Sequence, residues 1–468
     1  MNRNFKKVLM IMMLIFASVF FVACVDEPPG PVIPPHDCVG GEWVDTGERV
    51  CGQKVTQQKY CTICEEVVDV REVTVKHEYV EEVIEATCTT NGKTIETCKN
   101  CDKEPYERII FATGHVHTEY RISKEAEKDG VGEKELYCKD CNEVLKTTKY
   151  VNNGYFAHGK LSVKGKNLVD ENGKKFQLQG LSTHGLQWAN QYINKRTIEE
   201  LVNEFGINVL RVAVYTDEGG YAYGGDSARE MMEKKVREAA EITYQLGIYL
   251  IVDWHMVGAE HEEDKNPLTH LELSKSFFSK MSKEFSEKGY EHILYEIMNE
   301  PNGATTWDHC KLYAEQVIPV IRENSDGIVL VGNPKWTADL LSVIADRLNT
   351  NVYTNIMYTY HFYAADHKST SQVITAYNNG LPVFISEYGF MNSDGDGDIN
   401  PTSGENWMKV LNDRNISYVA WNISNTKGSA SIFKHGTEDM YDVSDSNLKE
   451  WGVYLKNMYR NNCGLNEE

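Results

Sequence analysis

Residues 293–303 read Ile-Leu-Tyr-Glu-Ile-Met-Asn-Glu-Pro-Asn-Gly. Ile293, Leu294, Tyr295, Ile297 and Met298 form a short apolar run with the length and the β-branched or aromatic character of a buried strand. The run stops abruptly: Pro301 cannot continue a ladder, and Asn302-Gly303 turns the chain. An amide, Asn299, and a carboxylate, Glu300, are thereby placed at the carboxyl end of a buried strand. In an α/β barrel or an open parallel sheet that is where ligands bind, because loops rather than packing decide what occupies a strand end. A single Glu in this position reads more readily as a polar strand end turning into solvent, so the rest of the chain must decide.

Working outward, short apolar strands alternate with helical patterns from Phe176 onward. Strands are expected at 176–181, 207–215, 248–254, 292–298, 327–332, 355–362, 382–387 and 417–423. Helices are expected near 196–205, 228–246, 271–288, 307–323, 337–347, 369–379, 403–413 and 446–459. Eight of each over about 300 residues is the arithmetic of an α/β fold of the (β/α)8 TIM-barrel kind. In 228–246, Met232, Val236, Ala239, Ala240 and Leu246 share one face and Gly247 ends the helix. Tyr155–Lys175, with its KGK and ENGK turns, reads as a hairpin capping the barrel floor.

A barrel brings all strand ends to one face. Those ends carry Ser182, His184, Gln187 and Trp188; Arg211 and Tyr215; Asp253-Trp254-His255; Asn299-Glu300; Trp336; His361-Phe362-Tyr363; Ser386-Glu387-Tyr388; and Trp421-Asn422. Glu300 and Glu387 are the pair of carboxylates in which each ends a buried strand of this set. Cleaving a glycosidic bond needs a protonated acid beside the leaving oxygen and a second carboxylate at the anomeric carbon; at a separation of about 5–5.5 Å the second attacks directly and configuration is retained. Arg211 nearby would favour ionised Glu387, and a less charge-balanced surrounding would keep Glu300 protonated. His255 and His361 end strands on the same face. Trp188, Trp336 and Trp421 read as platforms for the apolar faces of sugar rings.

On the segments 181–188 (LSTHGLQW), 206–216, 248–255 (IYLIVDWH), 295–303, 361–364 (HFYA), 385–389 (ISEYG) and 420–424 (AWNIS), residues 155 to about 440 resemble glycoside hydrolase family 5 and its bacterial endo-β-1,4-glucanases, the cellulases. The resemblance implies that Glu300 is the acid/base and Glu387 the nucleophile of a retaining enzyme. It further implies supporting roles for Arg211, His255, Asn299, His361 and Tyr363, with Asn299 on the 2-hydroxyl of the sugar and Tyr363 on the nucleophile. Sugar contacts are implied for His184, Trp188, Tyr215 and Trp421. Tyr388 stands where Trp is usual in these cellulases, and the lysine expected after Trp421 is met one place late, as Lys427. Two carboxylates suffice for the chemistry, so no cofactor and no catalytic metal are expected. The alternatives are an endo-hydrolase of mannan, xyloglucan or mixed-linkage glucan, or a non-catalytic glycan-binding surface protein.

The chain of 468 residues has a formal charge of −21. Such acidity argues against nucleic acid as a partner and favours a neutral or polar ligand, here a β-glucan. A monomer is expected. Residues 1–23 follow signal-peptide grammar: Arg3, Lys6 and Lys7 precede an apolar run, Val8–Ala23, too short to span a membrane comfortably. Val22-Ala23-Cys24 resembles a bacterial lipoprotein signal, implying a lipid on Cys24, export, and attachment to the cell surface. Residues 24–37 form a Pro-rich linker.

Residues 38–150 are a third kind of sequence, small Cys-rich, β-leaning repeat modules, about three in number. Cys51-x9-Cys61-x2-Cys64 recurs as Cys88-x9-Cys98-x2-Cys101, and a third copy keeps Cys138-x2-Cys141 with Lys128 where the first cysteine would fall. Modules this small lack a core of their own and need a staple. Export favours disulfides in repeats one and two. Zinc, held for instance by Cys88, Cys98, Cys101 and His115, is the alternative. The modules read as spacers that precede the catalytic domain, 151–468. In the loop after strand seven, Asp394, Asp396, Asp398, Asn400 and Glu405 imitate calcium-loop spacing, but Ile399 stands where such a loop wants Gly, and a solvated acidic loop is the better reading.

Overall fold

A computed structural model describes residues 34–466. The expected signal peptide and the lipidation site Cys24 lie outside the described residues. The chain divides between Val116 and His117 into two compact units.

The first unit contains two antiparallel three-stranded meanders, β1 (Gly40–Asp45), β2 (Lys54–Cys61) and β3 (Val67–Thr74), then β4 (Tyr79–Ile84), β5 (Gly92–Cys98) and β6 (Tyr106–Ile110). Their alternating Thr, Val, Glu and Lys suit strands exposed on at least one face, and β4 is exposed along its whole length.

The second unit opens with a third such meander, β7 (Thr118–Lys124), β8 (Val131–Cys138) and β9 (Val144–Val151). This sheet is fastened to the helix Lys195–Phe205: Tyr120 donates its hydroxyl hydrogen to Glu200 (3.0 Å), and the Lys146 ammonium reaches Glu204 at 2.7 Å and Glu200 at 3.2 Å. A hairpin, β10 (Ser162–Lys164) with β11 (Asn167–Val169), follows and closes the barrel floor, where Leu161, Leu168, Phe176 and Leu178 join the interior cluster.

The closed parallel barrel consists of β12 (Gln179–Thr183), β13 (Val209–Tyr215), β14 (Tyr249–His255), β15 (Ile293–Glu296), β16 (Val329–Val331), β17 (Ile356–Tyr363), β18 (Val383–Gly389) and β19 (Tyr418–Ile423). All eight expected strands are present and in order. Alternation along each strand sends Val209, Tyr249, Ile251, Leu294, Met357, Phe384 and Val419 into the barrel. Their neighbours, such as Leu210, Leu250, Tyr295, Ile385 and Tyr418, pack outward against the helices. Gly180 is small of necessity, since a Cβ there would stand 2.4 Å from the Val209 carbonyl oxygen.

Helix Gly225–Leu246 buries Met232, Val236, Ala239 and Ala240 and ends at Gly247 (φ 70°), whose N–H bonds back to Thr243. The helix expected over 337–347 is instead two short pieces, Pro334–Thr337 and Leu340–Ala345. Lys335, Trp336 and Thr337 all have positive φ, which no right-handed helix can absorb. What holds them is the turn after β15: the Trp336 N–H bonds the Pro301 carbonyl at 3.1 Å, and the Thr337 hydroxyl bonds the Asn299 carbonyl.

Candidate active site

Above the apolar interior, the next inward positions of β13, β14 and β15 are polar. Arg211, Asp253 and Glu296 are each wholly buried there. Arg211 donates to Glu296 (2.7 Å), to the Asn299 side-chain oxygen (2.7 Å) and, at 3.3 Å, to Glu387, and lies 3.0 Å from Asp253. Burial disfavours its charge, but Asp253, Glu296 and Glu387 together outweigh that and raise the guanidinium pKa. Burial pushes Asp253 up to about 7 against the pull of Arg211, and pushes Glu296 up as well. One guanidinium thus supplies the positive charge that several carboxylates share.

Glu387 owes its aim to an irregularity. Thr359 pairs with Phe384, but His361 pairs with Glu387, so β18 carries one residue more than β17 in that interval. Phe384 points inward; strict alternation would turn Glu387 out and Tyr388 in. The bulge reverses both. Glu387 faces the cleft, while Tyr388 is fully buried on the helix side, giving its hydroxyl a partner in Tyr459 at 2.9 Å. Tyr388 therefore packs behind the barrel wall and does not shape a sugar subsite.

One oxygen of Glu300, one oxygen of Glu387 and a ring nitrogen of His361 lie within 4.8 Å of one another. Tyr363 donates its hydroxyl hydrogen to Glu387 (2.8 Å). His361 Nδ1 is 2.9 Å from Glu300, and its Nε2 2.9 Å from the Ser386 hydroxyl. Burial lowers the His361 pKa to about 4, so the ring is neutral near pH 7. Glu300 is raised to about 8, chiefly by burial. Glu387 is raised to about 7: burial outweighs His361 and Arg211, which both pull it down, and adjacent Glu300 adds to the rise. The sequence reading anticipated that Arg211 would favour the ionised form of Glu387, and Arg211 does pull that pKa down. It did not anticipate that burial would lift both carboxyl groups above the ordinary range.

His255 is oriented by Asp253, whose carboxylate accepts from Nδ1 at 2.6 Å, and burial keeps the ring neutral. With Nδ1 as the donor, Nε2 accepts from the Asn299 amide at 3.3 Å. Asn299 is completely buried, and its amide nitrogen also donates to the Met256 carbonyl (3.2 Å). Stacked rings build one wall: Tyr215 lies 4.1 Å from His255 and is nearly parallel to His184, and His255 is nearly parallel to Trp421 at 5.2 Å. Trp188 meets Tyr215 edge-on and is 45% exposed. Trp336, 55% exposed, stands after β16, four strands round from β12 and so across the mouth. There Glu300, Trp336, His361, Tyr363, His367 and Ser393 line a hollow of about 350 Å³. Lys427 is exposed in the loop after β19, its carbonyl held by Lys449 (2.9 Å).

Three polar groups of this network carry no role in the sequence reading: Glu296, which it passes over, and Asp253 and Ser386, which it places at strand ends without assigning them a function. Glu296 had a signal, an acid inside an otherwise apolar run, since such a residue is buried only when paired. The acidic residues after β18 are used locally. Asp396 accepts from the Ser429 hydroxyl (3.0 Å), Asn400 caps the helix Pro401–Asn412, and Glu405 accepts from Tyr454 (2.7 Å).

The barrel has known relatives. A family model described as cellulase, glycosyl hydrolase family 5, matches residues 169–427. Endoglucanase A of Butyrivibrio fibrisolvens is 38% identical over 302 residues, covering 64% of this chain and 68% of that protein. An endoglucanase of Clostridium saccharobutylicum is 36% identical over 302 residues, covering 64% of each, so the chain spans just under two thirds of that relative. The crystal structure of the catalytic domain of a Thermobifida fusca endoglucanase superposes with a TM-score of 0.60 at 30% identity, covering 65% of this chain and 99% of that one.

Proposed function

The chain belongs to glycosyl hydrolase family 5, the cellulases, and is a glycoside hydrolase; from that footing we propose that it is a retaining, endo-acting β-1,4-glucan hydrolase, with Glu300 as acid/base and Glu387 as nucleophile. The observation that carries the reading is the approach of the two carboxylates, with oxygens within 4.8 Å. That separation leaves no room for a water between Glu387 and the sugar and suits direct attack.

In the first step a Glu387 oxygen attacks the anomeric carbon while Glu300 passes its proton to the departing glycosidic oxygen. The bond to the leaving chain breaks, and a glycosyl ester of Glu387 forms. Tyr363 on one oxygen and Arg211 on the other orient the nucleophile. In the second step Glu300, now ionised, takes a proton from water, which attacks the same carbon and releases Glu387. In this reading the Asn299 amide, which donates to His255 and to the Met256 carbonyl, turns one of those hydrogens to the 2-hydroxyl of the sugar. His184, Trp188, Tyr215 and Trp421 on one side, and Trp336 on the other, offer ring faces to a linear glucan, with Lys427 at the rim. A β-glucan chain is long and flat enough to lie across both walls.

In this reading residues 151–468 are the catalytic domain with the third Cys-rich module fastened to it, the first two modules space it from the cell surface, and export with lipid on Cys24 anchors it there. Purified protein is assayed on carboxymethylcellulose, lichenan and mannan beside Glu300→Gln and Glu387→Gln. The reading expects hydrolysis of carboxymethylcellulose with a β-anomer released first, and loss of activity in both variants. Preference for mannan would move the substrate class, and activity surviving in Glu387→Gln would overturn the mechanism.

A further inference from the structure

The first unit has almost no apolar core: among its described residues, the buried hydrophobic side chains are Val55 and the cysteines Cys61, Cys88 and Cys98. Something else must hold it. Two sets of side chains converge there, His36, Cys38, Cys61 and Cys64 in one and Cys51, His77, Cys98 and Cys101 in the other, and within each set one donor atom per residue lies within 4.8 Å of the rest. The Cys38–Cys64 and Cys51–Cys98 sulfurs are each 3.8 Å apart. His36 Nε2 is 3.3 Å from Cys61, and His77 Nδ1 is 3.4 Å from Cys101. A disulfide needs about 2.05 Å between sulfurs. A tetrahedral zinc ion with Zn–S near 2.3 Å and Zn–N near 2.0–2.1 Å holds sulfurs about 3.8 Å apart and sulfur from nitrogen about 3.6 Å. These sulfurs are thiols, not disulfides, so the disulfides expected for repeats one and two are not formed by them. Cys98 and Cys101 also take Cys51 and His77 as companions, rather than Cys88 and His115.

We infer that each set is a Cys3His structural zinc site and that the second joins two modules. Its Cys98-x2-Cys101 lies at the end of β5, and His77 just precedes β4, but Cys51 comes from the turn between β1 and β2 of the preceding sheet. The first site has the same plan, with Cys61-x2-Cys64 at the end of β2 and His36 and Cys38 reaching in from the segment before β1. The Ile63 N–H points at Cys61 Sγ (3.5 Å), a knuckle that steadies a thiolate. The first cysteine of the repeat is thus not a partner of the CxxC that follows it; it is handed to the next module. Lys128 agrees with this wiring. It occupies the same repeat position in the third copy, whose next neighbour in sequence is the barrel and not another module, and there it pairs with the buried Asp170 at 2.9 Å. Where the neighbour offers a carboxylate instead of a metal site, the linking residue is a cation. Zinc binding displaces a proton from each of the three thiols, and the ion then ties strands that share little apolar surface.

The test uses the full chain, purified in a thiol-free phosphine reductant without chelator, with metal measured by mass spectrometry. The expected result is at least two zinc ions per chain, and a tetrahedral thiolate spectrum on cobalt exchange. Cys61→Ser/Cys64→Ser and Cys98→Ser/Cys101→Ser each remove one equivalent. Cys51→Ser removes the same equivalent as Cys98→Ser/Cys101→Ser, and combining the two removes no more. Glucanase activity reports barrel folding in each variant and does not depend on the zinc. Less than one equivalent of zinc, mapped Cys38–Cys64 or Cys51–Cys98 disulfides in protein purified without reductant, or a Cys51→Ser protein with unchanged zinc would overturn the proposal.

Discussion

His361 Nδ1 and Glu300 Oε1 are 2.9 Å apart, and the same imidazole stands in register with Glu387 on the neighbouring strand. A neutral ring is therefore interposed where the two carboxyl groups need opposite protonation. In the proposed mechanism Glu387 is ionised and Glu300 protonated, and burial raises their pKa values to about 7 and about 8. Activity is expected to rise as pH climbs through about 7 and to fall through about 8. A bell-shaped kcat/KM profile, with two macroscopic values belonging to the pair, is the measurement. An optimum near pH 5 would contradict the burial that sets both values.

Tyr363→Phe removes the hydroxyl that donates to Glu387 at 2.8 Å and helps hold its pKa down. A hydrogen bond to a charged group contributes about 1.5–3 kcal/mol, so a fall of roughly ten- to a hundredfold in kcat/KM is expected. The acid limb should also move to higher pH. A uniform loss of rate with an unshifted limb would mean that the hydroxyl serves substrate rather than nucleophile.

Glu300→Gln is expected to be inactive yet more stable. In the folded state the Glu300 pKa is raised from 4.5 to about 8, so the native protein holds a proton that the unfolded chain has already released. The stability this group contributes is fully present below about 4.5 and is lost progressively as pH rises to about 8. Glutamine has no such loss. The variant's advantage should therefore grow from pH 5 to pH 8, reaching at least about 1 kcal/mol, the scale of one pKa unit. Thermal melts of both proteins at the two pH values give the comparison.

The barrel was legible because packing writes it repeatedly: each strand is an apolar run bounded by turn residues, and each helix has one apolar face. The carboxylates were legible because Glu300 and Glu387 end such runs. The irregular parts were not. The extra residue in β18, which turns Glu387 in and Tyr388 out, leaves no periodic mark, because Ser386-Glu387-Tyr388 looks the same with or without a bulge. Nor did the sequence mark where the helix expected over 337–347 would fail to start, since the positive φ values of Lys335, Trp336 and Thr337 are imposed by the turn at Asn299 and Pro301. The pairing of cysteines was hidden for a different reason: Cys51 is close in sequence to Cys61 but its companions lie in the next module.

Trp188→Ala and Trp336→Ala should act on binding rather than on bond cleavage. Both side chains are about half exposed at the mouth, while the carboxylates lie deeper. An aromatic platform contributes about 0.5–1.5 kcal/mol beyond its buried area. Each variant is expected to raise KM for carboxymethylcellulose severalfold with kcat nearly unchanged. A fall in kcat alone would place the ring at the reacting sugar instead.

The third meander behaves in the structure as part of the catalytic unit, and a truncation series tests that. Glu200 is 3% exposed beneath the sheet, held by Tyr120 and Lys146, and Asp170 is 1% exposed beside Lys128. Removing one partner of a buried ionic pair costs about 3–5 kcal/mol when the other stays covered. Cutting at residue 152 uncovers both carboxylates, so part of that cost is relieved by water, and a loss of about 1–3 kcal/mol is expected. Residues 152–468 should therefore melt several degrees below residues 117–468. Lys146→Met in the longer chain should reproduce part of the drop, because it leaves Glu200 covered but short of its cation. Equal melting temperatures for the two truncations would mean that the sheet merely rests on the barrel.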